Sequence, residues 1–277
     1  MHHRGRLAET PGGAGRYAGH SEGHLRRVLV DGQAGSVHQE VVVAELARDG
    51  RVDRHLHAFE EAIYVLGGRL TLEVAGSTEQ LHADDYVFVD RGVAHALGNS
   101  GAGPCRWFEV SAPPPGGDLE DTVFVSGGPK PEVATPYRRG RSDAGELPEP
   151  SSAIGLAGFG GANVGGAALK VLLGPDSGAS QFNLMVVQYG KGGFIKRHDH
   201  AFEEAFFFLE GEIEAELDGA VCRLGAGDYC WSGVRSMHAL ANRTDRPVRW
   251  LETQVPQPPS RYQARFVADW DRFLGSR

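Results

Sequence analysis

Apolar and polar side chains alternate along much of the chain. Leu70, Leu72 and Val74 alternate with Arg69, Thr71 and Glu73, and Ile213, Ala215 and Leu217 alternate with Glu212, Glu214 and Glu216. A period of two puts one face of a strand in a core and the other in solvent. Turn signals at Gly67-Gly68, Asp84-Asp85, Gly211, Asp218-Gly219 and Gly225-Ala226-Gly227 cut the chain into short runs. Many short, evenly spaced strands predict an all-β barrel or sandwich, with only a few short peripheral helices. Helical spacing is clear only at the C-terminus, where Phe266, Trp270 and Phe273 fall at i, i+4 and i+7. That stripe predicts a helix over 259–277, packed on a barrel or on a partner subunit.

The pattern repeats. His-Ala-Phe-Glu-Glu-Ala occurs at His57–Ala62 and at His200–Ala205, and His-Ala-Leu-x-Asn at His95–Asn99 and at His238–Asn242. Both recur at an offset of 143 residues, which also pairs Asp85-Tyr86 with Asp228-Tyr229 and Arg106-Trp107 with Arg249-Trp250. One gapless offset over such a length means two copies of one fold. The expected layout is an N-terminal arm over 1–27, a first barrel over 28–115, a connection over 116–166 with a short strand at Asp121–Ser126, a second barrel over 167–258 and the C-terminal segment over 259–277. A connection dense in Gly, Pro and Ser, and this long, is uncommon inside one domain.

Composition narrows the partners. Among 277 residues, Lys+Arg number 28 and Asp+Glu 36, a net charge of −8. A surface of that sign repels nucleic acid and anionic lipid, so neither is expected as a partner. No apolar stretch approaches the ~20 residues of a membrane span. The N-terminus lacks the apolar run of a signal peptide, and His2 and His3 are expected in solvent. Cys105, Cys222 and Cys230 form neither a disulfide framework nor a zinc knuckle, which suits a reducing cytoplasm.

The histidines carry the chemistry. In the second repeat His198 and His200, at i and i+2 of a strand, point the same way. A short loop brings in Glu204, and a later hairpin returns His238. The first repeat gives His55, His57, Glu61 and His95 in the same order. Three imidazoles and a carboxylate suit one divalent ion per barrel, whether Mn, Fe, Co, Ni, Cu or Zn. His20, His24, His38 and His82 have no histidine at the matching position and are expected on the surface or in loops.

The two blocks resemble the signature motifs of the cupin superfamily, G-x5-HxH-x3-E-x6-G and G-x5-P-x-G-x2-H-x3-N. Gly192, His198, His200, Glu204 and Gly211 match the first block. Gly227, His238 and Asn242 match the second, with Gly233 and Arg235 where the family has Pro and Gly. In the first repeat Asp49 and Asp84 replace two turn glycines and Asp90 replaces the Pro, while Gly68, Gly92, His95 and Asn99 remain. The resemblance implies two tandem cupin (jelly-roll) β-barrels, a bicupin, with all eight metal ligands kept. With the C-terminal stripe, it also implies a homodimer or higher even oligomer. The superfold hosts many reactions. The leading expectation is a metal-dependent oxidoreductase of dioxygenase type acting on a small organic molecule. The alternatives are a non-redox bicupin enzyme (isomerase, decarboxylase or ureidoglycine-aminohydrolase-like) and a non-catalytic metal-binding bicupin.

Around the second site Phe202, Phe206, Phe208 and Trp231 are candidates for a substrate pocket, and core packing explains them equally well. An aromatic cavity on an open metal site favours an apolar or aromatic substrate over a small dianion. Glu203 and Tyr229 are the catalytic candidates. Glu203, like Glu60, either orients a ligand or a water or is a solvated charge, and Tyr229 is placed to donate a proton. The motif glycines and aromatic residues of the second barrel make it the expected seat of turnover.

Overall fold

A computed structural model describes residues 1–126, 137–142, 163–259 and 264–267. The strands are β1 (His2–Arg6), β2 (Ser21–Val30), β3 (Glu40–His57), β4 (Glu60–Gly67), β5 (Arg69–Val74), β6 (Ser77–His82), β7 (Asp85–Val89), β8 (His95–Gly98), β9 (Cys105–Ala112), β10 (Thr122–Phe124) and β11 (Tyr137–Arg141). The second set comprises β12 (Val164–Leu173), β13 (Asn183–Asp199), β14 (Glu203–Glu210), β15 (Glu212–Leu217), β16 (Ala220–Gly225), β17 (Asp228–Ser232), β18 (His238–Ala241), β19 (Val248–Val255) and β20 (Arg265–Phe266). Helix among the described residues is confined to single 3-10 turns such as Gly15–Tyr17 and Pro175–Ser177. The fold is all-β: two tandem barrels, each a curled antiparallel sheet.

The sheet orders are β11-β7-β4-β9-β3-β8-β5-β6 and β1-β17-β14-β19-β13-β18-β15-β16. Each barrel curls on one long strand. Residues Glu40–Leu46 of β3 pair with β9, and after the chain turns at Asp49 and Gly50 its far end pairs with β8. β13 does the same with β19 and β18. The alternation read from sequence appears as burial: Leu70, Leu72 and Val74 are buried in β5, and Ile213, Ala215 and Leu217 in β15. These side chains join the two interior clusters, with Trp107 in one and Trp250 in the other.

Turn positions match across the repeat even where the residue changes. Asp49 (φ 59) and Asp84 (φ 71) occupy the left-handed conformation that Gly192 (φ 71) and Gly227 (φ 83) adopt in the second barrel. Aspartate tolerates that region better than most residues, so the turns form in both halves. Gly68 and Gly211 are constrained for a second reason. A Cβ on Gly211 would lie 2.4 Å from the Pro247 carbonyl oxygen, and one on Gly68 would lie 2.5 Å from that of Pro104.

The described residues of Glu9–Asp143 and Leu172–Gln181 form one compact unit, and those of Met1–Ala8, Ala144–Val171 and Phe182–Arg277 form the other. This departs from the expected N-terminal arm over 1–27. His2 and His3 do not dangle: β1 pairs with β17, and the His2 ring meets Asp218 at 3.1 Å. β1 does for the second barrel what β11 does for the first. Both carry Arg-Gly-Arg, and in both the glycine lies against a tyrosine ring, Gly5 on Tyr229 and Gly140 on Tyr86. The chain over 9–30 belongs to the first barrel, where His24 is buried between Tyr17 and Trp107 instead of lying on the surface. The predicted C-terminal helix fails at Phe266, which is in β20 and pairs with His198. Trp270 and Phe273 lie outside the described residues. No helix among the described residues is long and apolar enough to cross a membrane.

Candidate functional site

Each barrel gathers its ligands from three strands. β3 ends on His55 and His57, β4 contributes Glu61, and β8 opens with His95, which pairs with His55. In the second barrel β13 carries His198, with His200 directly after it, β14 carries Glu204, and β18 opens with His238 opposite His198. The turn before the last histidine is tied down. Gly92 N–H donates to the His57 carbonyl at 2.8 Å, and Arg235 N–H to that of His200 at 2.9 Å. The motif asparagines close the other end. Asn242 Nδ2 donates to the Tyr189, Gly190 and Arg246 carbonyls, and Asn99 Nδ2 to those of Leu46, Ala47 and Gly103.

The two sites are near copies. Ring centroids of His55 and His95 lie 4.3 Å apart and those of His198 and His238 4.2 Å; His57–His95 and His200–His238 are both 5.0 Å. The ligand atoms of His198, His200, Glu204 and His238 all lie within 4.8 Å of one another, as do those of His55, His57 and His95. Glu61 stands slightly off, its Oε2 3.3 Å from His95 Nε2 and 3.7 Å from His57 Nε2. Glu204 Oε2 approaches to 3.1 Å from His238 and 2.9 Å from His200. Gln254 Nε2 holds the other oxygen of Glu204 at 3.0 Å, where the first barrel has the shorter Ser111 opposite Glu61.

All six imidazoles are fixed in one orientation. Each Nδ1 faces a backbone carbonyl two residues away, at 2.6 to 3.0 Å: Asp53, Phe59, Val93, Lys196, Phe202 and Ser236. A carbonyl only accepts, so each Nδ1 carries a proton and Nε2 is the atom turned inward, where that of His238 meets Glu204 Oε2 at 3.1 Å. The inner atoms of His55, His57, His95, His200 and Glu61 are buried without a hydrogen-bond partner, which is the signature of a group built for an ion. Burial, and next the neighbouring imidazole of His95 or His238, push His55 and His198 well below the usual histidine range. Burial opposes ionisation of Glu61 and Glu204 too, but the adjacent imidazoles hold both well below the usual carboxylate range. Burial works against the charge on His200 as well, but Glu204 beside it outweighs that and raises its pKa; metal binding takes imidazoles in their neutral form. Each barrel thus carries one buried group that binds a divalent metal ion.

The interiors differ. The second barrel has a cavity of about 190 Å³ on which His198, Glu204 and His238 open. Leu169, Met185, Val187, Ile195, Phe206 and Leu240 give it apolar walls, and Asn183, Glu252 and Gln254 a polar stripe. Among the described residues, no lysine or arginine lines it. Burial, and next the charge of Glu204, push Glu252 up to about 8. In the first barrel the equivalent space holds side chains. Tyr17 lies 4.8 Å from His55, and behind it Arg26 joins Glu40 at 2.7 Å and Glu109 at 3.0 Å.

Of the expected pocket residues, Phe206 lines the cavity. Phe208 is in the core beneath it against Trp250, and Phe202 stacks on His200 at 4.0 Å, supporting the ligand from behind. Trp231, Tyr229 and Glu203 are corrected. Phe206 faces Cys230 across the β14–β17 ladder, so Cys230 and Ser232 share its inward side, and Tyr229 and Trp231 point the other way. There Trp231 Nε1 donates to Glu203 at 3.2 Å, and the Tyr229 ring packs on β1. Glu60 likewise faces away and accepts from the N–H groups of Ser180 and Gln181, both at 2.9 Å. Sequence reasoning missed Tyr17, Arg26, Asn183, Glu252 and Gln254. It also missed the phenyl rings of Phe124 and Phe266, each beside the first ligand histidine of its barrel at 5.6 and 5.2 Å.

Comparison with known proteins agrees with this geometry. The chain is similar to the tetracenomycin polyketide synthase protein TcmJ of Streptomyces glaucescens, 33% identical over 118 residues, which is 41% of this chain and 77% of that protein. Among solved structures, oxalate decarboxylase of Lactobacillus farciminis in its formate complex superposes with a TM-score of 0.68 at 13% identity, covering 99% of this chain and 90% of that one. Protein Ylba of E. coli gives 0.65 at 16% identity, covering 92% and 90%. At such identities the likeness is one of fold. The model of the Cupin domain matches twice, over residues 42–111 and 185–253, together about half of the sequence. With one match in each half, the chain belongs to the cupin family as a bicupin.

Proposed function

We propose that this bicupin is a metal-dependent enzyme whose second barrel acts on a small, uncharged, largely apolar organic molecule. The observation that carries the reading is the cavity itself: an apolar chamber, without a cationic side chain, opening on His198, Glu204 and His238. Beyond the metal ion itself, a dicarboxylate such as oxalate would meet the carboxyl groups of Glu204 and Glu252 and no cationic side chain among the described residues, which argues against carrying the fold likeness to oxalate decarboxylases over to substrate. An apolar ring finds Leu169, Val187 and Phe206. A divalent ion held by His198, His200, Glu204 and His238 supplies Lewis-acid polarisation of a substrate oxygen and, if redox-active, electron transfer. The protein's own contribution is orientation and exclusion of water. The Nδ1–carbonyl bonds fix the imidazoles, Gln254 fixes Glu204, and the apolar walls bury the bound ring.

Dioxygenase-type oxidation is the leading chemistry for such a site. A non-redox reaction, such as cyclisation or isomerisation, is the second reading. Two observations favour it: the similarity to a polyketide synthase protein, and Glu252, a buried carboxyl at the cavity wall able to hold a proton at neutral pH. The metal of the first barrel serves as a structural brace, since Tyr17 covers His55. The experiment is oxygen uptake by Fe(II)- or Mn(II)-loaded protein over a panel of uncharged phenols and diketones, with product mass. Uptake with a product heavier by two oxygen atoms supports oxidation, and an isomeric product without uptake supports the second reading. Conversion of oxalate in preference to every panel member would refute both.

A further inference from the structure

The barrels differ most at three repeat-matched interior positions. Arg26, Glu40 and Glu109 of the first barrel correspond, at the offset of 143, to Leu169, Asn183 and Glu252 of the second. In the first barrel Arg26 Nη2 bridges the two carboxylates at 2.7 and 3.0 Å, and its guanidinium lies 5.9 Å from the ring of Tyr17. In the second barrel the arginine has become a leucine and one glutamate an asparagine. All three residues now line the cavity.

What remains is a short polar rail. Gln254 Nε2 donates to Glu204 Oε1 at 3.0 Å and to Glu252 Oε1 at 3.2 Å. Glu204 is a carboxylate that only accepts, so the Gln254 amide must turn its NH2 that way and its carbonyl towards Asn183. Asn183 Nδ2 donates to that carbonyl at 3.3 Å. Its own Oδ1 is then left buried with no hydrogen-bond partner among the described residues, on a side chain that lines the cavity. Buried acceptors are rarely left so. The opposite groups of the rail are occupied: Glu252 Oε2 accepts from Trp250 Nε1 at 3.0 Å.

We propose that Asn183 and Glu252 are the specificity residues of this cavity, reading a phenolic or enolic hydroxyl on an otherwise apolar ligand. The hydroxyl donates to Asn183 Oδ1, and its oxygen lies towards the Glu252 carboxyl. The inference rests on the reading of the second-barrel cavity as the substrate site and adds what that site selects. A hydrocarbon leaves Asn183 Oδ1 unsatisfied. An anion meets two carboxyl groups and, apart from the metal, no cationic side chain among the described residues.

The test uses the metal-loaded full chain and a pair of one-ring probes, 4-ethylphenol and ethylbenzene. An apolar cavity on the order of 150 Å³ accepts a benzene ring, so the probes suit the space. Titration calorimetry on wild type should show the phenol binding about tenfold more tightly, the scale of one buried hydrogen-bond partner. In Asn183→Leu the preference should fall to about twofold or less, with ethylbenzene affinity retained, and Asn183→Ala should behave alike. Leu169→Arg, which restores the first barrel's plug, should abolish binding of both probes, and every variant should keep two metal ions per chain. Equal affinities in wild type overturn the proposal while leaving the substrate-site reading standing. So does a preference that survives both Asn183 substitutions, because another group then reads the hydroxyl. Failure of wild type to bind either probe removes the substrate-site reading and this proposal with it.

Discussion

The Arg26 cluster offers a sharp test of how the first barrel is held together. Arg26 is 5% exposed and Glu109 3%, and one guanidinium nitrogen serves both Glu40 and Glu109. Burial works against the charge on Arg26, but the two carboxylates outweigh it and raise its pKa further. Replacing Arg26 by Leu, the residue of the second barrel, leaves two carboxylates in the interior with no cation. Breaking a buried pair from one side costs about 3–5 kcal/mol. For a unit of this size that lowers Tm by roughly 10 °C, at about 2–4 °C per kcal/mol. The second change that separates the barrels is Glu40→Asn. The double variant Arg26→Leu/Glu40→Asn leaves only Glu109, which still accepts from Trp107 Nε1 at 3.0 Å, as Glu252 accepts from Trp250. It should therefore recover at least half of the loss. Differential scanning calorimetry of the metal-loaded protein reads both. The reasoning is refuted if Arg26→Leu melts within about 2 °C of wild type, less than one kcal/mol, or if the double variant melts below the single one.

Other consequences follow from particular residues. Gly211→Ala places a Cβ against the Pro247 carbonyl at positive φ and should cost about 2 kcal/mol or more, whereas Asp49→Gly relieves a left-handed aspartate and should gain about 1 kcal/mol; urea titrations give both signs. Asn242→Ala removes donors from three carbonyls and should destabilise by about 2–3 kcal/mol while metal content stays at two per chain. A metal content of one would make Asn242 part of the site. Tyr229→Phe, on the face that packs against β1, should leave probe binding in the second barrel unchanged.

Much of this molecule was legible because it is written twice. The 143-residue offset exposed both ligand sets, and period-two alternation gave the strands that carry them. What escaped did so for physical reasons. β1 pairs with β17 across more than two hundred residues, a contact that no local pattern encodes, although the shared Arg-Gly-Arg of β1 and β11 was a clue. Phe266 was read as helical from a three-point stripe, yet backbone pairing with β13 decides its conformation. Tyr229 and Trp231 were turned inward because side-chain direction in β17 follows from its register with β14, which spacing alone does not fix. What escaped in the second-barrel cavity was its polar stripe, because the motifs the repeats share do not mark it. The cavity is made by positions where the repeats differ, Arg26 against Leu169 and Glu40 against Asn183, and comparing the halves for differences would have found the stripe.

Both barrels bind metal, and by the proposal above the second receives the substrate. The most direct measurement is proton relaxation of 4-ethylphenol by Mn(II)-loaded wild type, His57→Ala and His200→Ala, with metal content determined on the same samples. The account predicts two ions in wild type and about one in each variant, because each change removes a ligand from one site only. It predicts enhanced relaxation in wild type and His57→Ala, and none in His200→Ala. Enhancement that persists in His200→Ala and vanishes in a folded His57→Ala would place the ligand in the first barrel and contradict the account.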